Sequence, residues 1–161
     1  GTPDRVRTAA DVRMGGEGPR ESRVVVVGGG LVGCELALWL RKQDSTREVT
    51  LVEALPDVLM VGAVCDANTD MLKALLPFHG VKEELAPGGA HGAGRRVLHL
   101  CDGSEQKLEA DTIAVAVGYR SENRLFQELQ GLDASFQIGD ANKVANIHYA
   151  IWDAYEVARG I

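Results

Sequence analysis

Val24-Val25-Val26-Val27-Gly28-Gly29-Gly30-Leu31-Val32-Gly33 decides the fold of this chain, and Val49-Thr50-Leu51-Val52-Glu53 closes the unit it opens, with Glu53 twenty residues past Gly33. Four β-branched residues in succession predict a strand buried on both faces, as a parallel strand inside an α/β sheet requires. The Gly28-x-Gly30-x-x-Gly33 spacing follows at once, a helix opens behind it, and a second apolar strand ends in an acid. Each position then has a task. Gly28 lets the chain turn sharply out of the strand, Gly30 removes a Cβ that would block a pyrophosphate, and Gly33 lets the helix lie close to the sheet. The helix starts at Leu31 and Val32, and its free amides form a positive end that favours a phosphate. Glu53 is placed to accept hydrogen bonds from adenosine ribose hydroxyls and to repel a 2′-phosphate, which favours NAD over NADP. Glycine turns alone occur in many loops. The strand before, the helix after and Glu53 at the expected offset make this one specific for an NAD(H) pocket, against the plainer reading of an unoccupied strand-to-helix turn.

The 161 residues suit one domain with a real core and are too few for two complete nucleotide domains. A net charge of -6 without a basic run argues against nucleic acid or an anionic membrane surface as partner. No apolar stretch reaches the about 18 residues of a membrane-crossing helix, and the first residues carry no signal-peptide pattern. The absence of an initiating Met hints at an excised fragment. Cys34, Cys65 and Cys101 are far apart and lack a Cys-x-x-Cys pair, which fits a reduced, cytoplasmic compartment. Cys34, beside Gly33 in a buried helix, reads as a small core residue rather than a nucleophile. His79, His91, His99 and His148 have no metal-ligand spacing, and Ser, His and Asp form no nucleophile motif. No metal site and no catalytic residue is therefore named.

Along the chain, residues 1–22 read as a connecting arm with a short helical turn at 8–12. The first helix, 31–42, is apolar almost all round through Leu36, Ala37, Leu38, Trp39 and Leu40, so it should touch something besides its own sheet: cofactor, neighbouring domain or second subunit. A second helix presents Met71, Leu72, Leu75 and Leu76 on one face, with Asp66 or Asn68 as cap, and Pro77 should end or kink it. A strand begins at Val81. Residues 87–94 are glycine-rich and predict a loop without regular structure, followed by a hairpin of 96–101 and 106–110 around Asp102-Gly103. Residues 112–117 form another apolar strand, ending at Gly118-Tyr119-Arg120, a second glycine turn where open α/β sheets bind ligands. A short helix at 122–130, a strand at 136–138, Gly139-Asp140 and a final helix at 146–159 complete the chain. The fold class is α/β, a Rossmann-like parallel sheet flanked by helices, with a small antiparallel hairpin or meander.

The glycine turn with Cys34-Glu35, Thr50-Leu51-Val52-Glu53, Ala110-Asp111-Thr112, Gly118-Tyr119-Arg120 and Ile138-Gly139-Asp140, in that order, resembles the carboxyl-terminal part of one flavoenzyme family. It is the 2,4-dienoyl-CoA reductase and 2-enoate reductase branch of the NADH:flavin oxidoreductases. Nearly the whole chain is covered, and the ordered motifs are specific to flavoproteins with two dinucleotide domains. The resemblance implies a multidomain parent, with a barrel holding FMN and an iron-sulfur cluster and an FAD-binding domain into which this NAD(H) domain is inserted. Electrons would pass from NADH to FAD, to the cluster, to FMN and to an activated double bond. Residues 23–131 would be the NAD(H)-binding domain, and 132–161 a strand and helix completing the FAD domain, with Gly139 and Asp140 at the flavin nucleotide. Glu35 would lie near the nicotinamide amide, or serve as a charge on a helix rim; Gly118 would lie against the dinucleotide's middle, or simply end a strand.

The chain departs from the family in two places. The glycine-rich 87–94 segment stands where one strand of a three-stranded antiparallel meander would run, and the polar first-helix exit, 41–47, lacks the usual glycine. The barrel, the cysteine cluster and a second Gly-x-Gly-x-x-Gly are not in this sequence. The isolated chain should bind without turning over. Rival readings are a stand-alone nucleotide-binding module and a methyltransferase using the same turn, the latter disfavoured by Gly118 and Gly139-Asp140. Pairing of two copies through the final strand and helix stays open.

Overall fold

Val24 and Val26 point to one side of their strand and Val25 and Val27 to the other, and the computed structural model of the chain covers both sides. It describes residues 5–15, 19–60, 66–87, 90–93, 96–101, 104–132 and 135–161. The elements run β1 (Val6–Thr8), α1 (Ala9–Met14), β2 (Arg23–Val27), α2 (Leu31–Gln43), β3 (Glu48–Glu53), α3 (Asp66–Phe78), β4 (Lys82–Leu85), β5 (Ala90–Ala93), β6 (Arg96–Cys101), β7 (Ser104–Glu109), β8 (Thr112–Val115), α4 (Arg124–Glu128), a 3-10 turn (Gly139–Ala141) and α5 (Ile147–Gly160). A five-stranded parallel sheet has the order β1-β8-β2-β3-β4, and a three-stranded antiparallel sheet has the order β5-β6-β7. This is an α/β Rossmann-like fold with an antiparallel meander.

Val24, Val26, Val49, Leu51 and Ala114 pack against Cys34, Leu36, Ala37 and Leu40 of α2 and Leu72 and Leu76 of α3. On the opposite face Val25, Val52 and Ile113 meet Ala86 and Ala110, on the segments that lead into and out of the small sheet, and Leu108 of β7. Both sides of β2 thus leave water, which is why its sequence is unbroken valine rather than alternating. Contact density divides the chain into residues 1–118 and 119–161. In the second unit Asn146 caps α5, its side chain accepting from the Tyr149 amide at 3.2 Å.

Several expectations change. Within the segment read as an arm, the helical turn expected at 8–12 is α1, and residues 6–8 add a strand that was not expected: Val6, Arg7 and Thr8 align with Ile113, Ala114 and Val115 of β8, and Ala9 and Val12 join the core. The Thr8 hydroxyl accepts from the Asp11 amide at 3.1 Å to start α1. Part of the additional apolar surface of α2 meets this segment, where the Arg13 guanidinium stacks 4.7 Å from the Trp39 ring. The glycine-rich 87–94 segment, expected to lack regular structure, contains β5, whose residues align with Arg96–His99 of β6. Backbone pairing needs no side chain, so an edge strand forms even within this glycine-rich segment once β6 offers a free edge. Residues 136–138, expected as a strand, join no sheet among the described residues, although Ile138 itself has extended backbone. Pro77 lies in the last turn of α3, which continues to Phe78 and then stops at Gly80 with φ 72°.

The polar exit of α2 is closed by charge instead of glycine. Arg47, only 6% exposed, donates to the carbonyls of Leu40 at 3.0 Å, Pro19 at 2.7 Å and Glu21 at 3.3 Å. Arg41 donates to the carbonyls of His79 and Ser45, both at 2.6 Å, and to that of Arg47. Cys65, the Asp102-Gly103 turn and the side chains of His91, His99 and Cys101 lie outside the described residues.

Candidate functional site

β2 delivers the chain to Gly28, where φ is 108° and the amide donates to the Val52 carbonyl at 2.8 Å. A Cβ on Gly28 would stand 2.5 Å from the Ala116 carbonyl oxygen, and one on Gly33 only 1.8 Å from the Gly28 carbonyl oxygen. A side chain at Gly33 would push the first turn of α2 off the glycine turn, and one at Gly28 would push that turn off the Ala116 backbone that follows β8. Gly30 is the N-cap and offers no side-chain cap; the first helical bond runs from the Cys34 amide to the Gly30 carbonyl at 3.0 Å. Among the described residues the amides of Gly30, Leu31, Val32 and Gly33 make no hydrogen bond. These are the orphan donors of a helix start, at its positive end, beside the carboxyl edge of the sheet.

Glu53, the last residue of β3, is 8% exposed, so its carboxylate does not stand open to a ribose in this structure. Oε2 accepts from the Gly29 amide at 2.5 Å and Oε1 from the Leu55 amide at 2.8 Å. Residues 54–59 then fold back over the glycine turn: the Leu59 amide donates to the Gly29 carbonyl at 2.7 Å, and Val58 and Leu59 are buried. Sequence reasoning missed this strap and missed Gly29. A Cβ at Gly29 would lie 2.9 Å from Glu53 Oε2 and 3.0 Å from Val58 Cγ1, so the middle glycine makes room for the acid and the strap. A glycine at the variable position between Gly28 and Gly30 was the available signal.

Cys34 Sγ donates to the Gly29 carbonyl at 3.3 Å from within the core. Burial first, then the nearby Glu83 carboxylate, pushes its thiol up to about 12, and a thiol so placed is inert. Glu35 lies exposed on the first turns of α2, and Val32 is 39% exposed. Gly118 follows β8, which neighbours β2 in the sheet; its φ is 102°, and a Cβ there would meet nothing within 4 Å. Backbone conformation alone accounts for glycine at that position. Gly28, Gly30, Leu31, Val32, Gly33 and Glu53 are thus gathered at one end of the sheet.

Gly139 and Asp140 belong to the second unit. Gly139, with φ 58°, donates its amide to Asp153 Oδ2 of α5 at 3.1 Å, and Asp140 Oδ1 accepts from the Ala145 amide at 3.1 Å. Asp153 escaped sequence reasoning because its partner lies fourteen residues earlier, outside any local pattern.

The description "Pyridine nucleotide-disulphide oxidoreductase" matches residues 2–146. Cinnamate reductase of Clostridium sporogenes is 43% identical over 160 residues, covering 98% of this chain and 24% of that protein. A metal reductase of Desulforamulus reducens is 30% identical over 188 aligned positions, 96% of this chain and 27% of that protein. Among solved structures, histamine dehydrogenase from Rhizobium sp. 4-9 superposes with a TM-score of 0.79 at 22% identity, over 97% of this chain and 26% of that one, which bears on the fold. The chain spans about a quarter of the length of these relatives. A glycine turn that admits no side chain at two positions, set in a parallel sheet and matched over most of its length, makes this chain a member of the pyridine nucleotide-disulphide oxidoreductase family, in its NADH:flavin oxidoreductase branch.

Proposed function

We propose that the chain binds NAD(H) at the Gly28–Gly33 turn and holds the nicotinamide for hydride transfer to an FAD carried by another part of a longer flavoenzyme. The observation that carries this reading is the row of amides at Gly30, Leu31, Val32 and Gly33, unspent among the described residues, beside a turn that only glycine fits. Those amides would hold the pyrophosphate, with Gly28 shaping the approach. Glu53 would receive the ribose hydroxyls and oppose a 2′-phosphate, Gly118 would border the middle of the dinucleotide, and Glu35 would stand near the nicotinamide amide. Gly139 and Asp140 would contact FAD. The cofactors supply the redox chemistry, hydride passing from nicotinamide to flavin, while this chain supplies position and charge.

By the same reading the parent lies in the cytoplasm, carries FMN and an iron-sulfur cluster in a barrel, and reduces enoyl or dienoyl substrates. Among the described residues no helix is long and apolar enough to cross a membrane. Calorimetric titration of the purified chain with NADH and NADPH tests the assignment. We expect NADH to bind more tightly than NADPH, and Glu53→Ala to narrow that preference. Absence of NADH binding, or a clear preference for NADPH, would defeat it.

A further inference from the structure

We propose that Glu53 is a positioning residue that fastens the 54–59 strap across the glycine turn, and that a dinucleotide seats its adenosine ribose by displacing the Leu55 amide from that carboxylate. The proposal rests on the NAD(H) reading above and deepens it. A ribose diol brings two hydroxyl donors, and here each Glu53 oxygen already serves a backbone amide, Gly29 on one side and Leu55 on the other. With Glu53 only 8% exposed, a sugar has no way to the carboxylate while the strap is down.

The strap has a second fastening, to Gly29 itself. Leu59 donates to the Gly29 carbonyl at 2.7 Å, so Gly29 is gripped through its carbonyl by the strap and through its amide by β3. Leu59 sits at φ 61°, a left-handed conformation that a leucine holds only where surrounding packing imposes it. Val58 and Leu59 supply that packing, 1% and 8% exposed, within the cluster that contains α2. Between the two amides, Leu55 is the one able to leave. Gly29 lies inside a turn braced by Gly28 and Gly33, whereas Leu55 lies in the strap and is half-buried. Strain relief at Leu59 offsets part of the cost of lifting the strap and breaking the Leu55 bond, and the ribose hydroxyls take the vacated lone pairs.

Amide hydrogen exchange on the full chain, with and without saturating NADH, tests this. We expect NADH to slow exchange at the Gly30 to Gly33 amides and to speed it at Leu55 and Leu59 by about tenfold, the factor that corresponds to one lost hydrogen bond. Slowing at the turn with unchanged or slower exchange at Leu55 and Leu59 overturns the strap proposal and leaves the NAD(H) reading standing. No slowing at the turn overturns both. Glu53→Gln offers one acceptor oxygen to two donors, so in the free chain it should speed exchange at Leu55 or Gly29 about tenfold; no change at either amide shows that the carboxylate is not the fastening.

Discussion

Glycines 28, 33 and 118 are glycine for different reasons. Gly33 has no space, since a Cβ would stand 1.8 Å from a backbone oxygen, whereas Gly118 has open space and only a positive φ to satisfy. We expect Gly33→Ala to cost at least about 3 kcal/mol, because backbone must move, and Gly118→Ala about 1 kcal/mol, the cost of a left-handed alanine. Urea unfolding of both variants against the parent chain measures the contrast. Cys34 carries a second prediction. Burial raises its thiol to about 12, above an unfolded value near about 8.5, so the folded state favours the neutral form. Its contribution is full below the unfolded value and declines as pH rises toward the folded one. Relative to Cys34→Ala, the parent chain should lose about 2 kcal/mol between about pH 8 and pH 10, read from urea midpoints at the two pH values. At these positions the sequence named the residues, and geometry alone separated their reasons.

At the scale of elements, local reading found the helical turn that becomes α1 but stopped short of β1 and of the place both take against the sheet. Three strand residues and a six-residue helix are too brief for a periodicity, and charged neighbours surround them. They form because β1 aligns with β8, more than a hundred residues away, and because Val12 reaches full burial. Val12→Ala should therefore cost roughly 2 kcal/mol in chemical unfolding, the combined transfer and cavity effect of two lost methyl groups. A change near zero would show that these residues behave as an arm after all. The β5 strand is the same lesson with glycine, where intrinsic preference favours a loop and an available edge prevails. Residues 136–138 are its converse: an apolar run with strand propensity joins a sheet only when a partner edge exists. β2, α2 and β3 were readable because valine runs, helical spacing and the glycine turn act over distances of a few residues.

For the whole molecule, the division of the chain decides what each part can do alone. Among the described residues no side chain from 119–161 is buried, while Ile147, Ile151, Trp152 and Tyr155 of α5 stay largely exposed. The core belongs to the first unit. A chain ending at Gly118 should keep a cooperative unfolding transition and bind NADH within about threefold of the full chain, since half of a 1.4 kcal/mol tenfold step is all that exposed contacts would contribute. Circular dichroism melts and calorimetry on the shortened chain check this, and loss of either property would assign 119–161 a share in fold or site. Sequence alone determined the parallel sheet, the glycine turn, the helix behind it and the acid at the end of the second strand, because sterics of glycine and β-branched residues act locally. Only the tertiary structure decided that the Glu53 carboxylate is spent on Gly29 and Leu55 and that the amino-terminal segment extends the sheet. Those outcomes depend on which distant backbone groups meet once the core has closed, and no local pattern encodes that meeting.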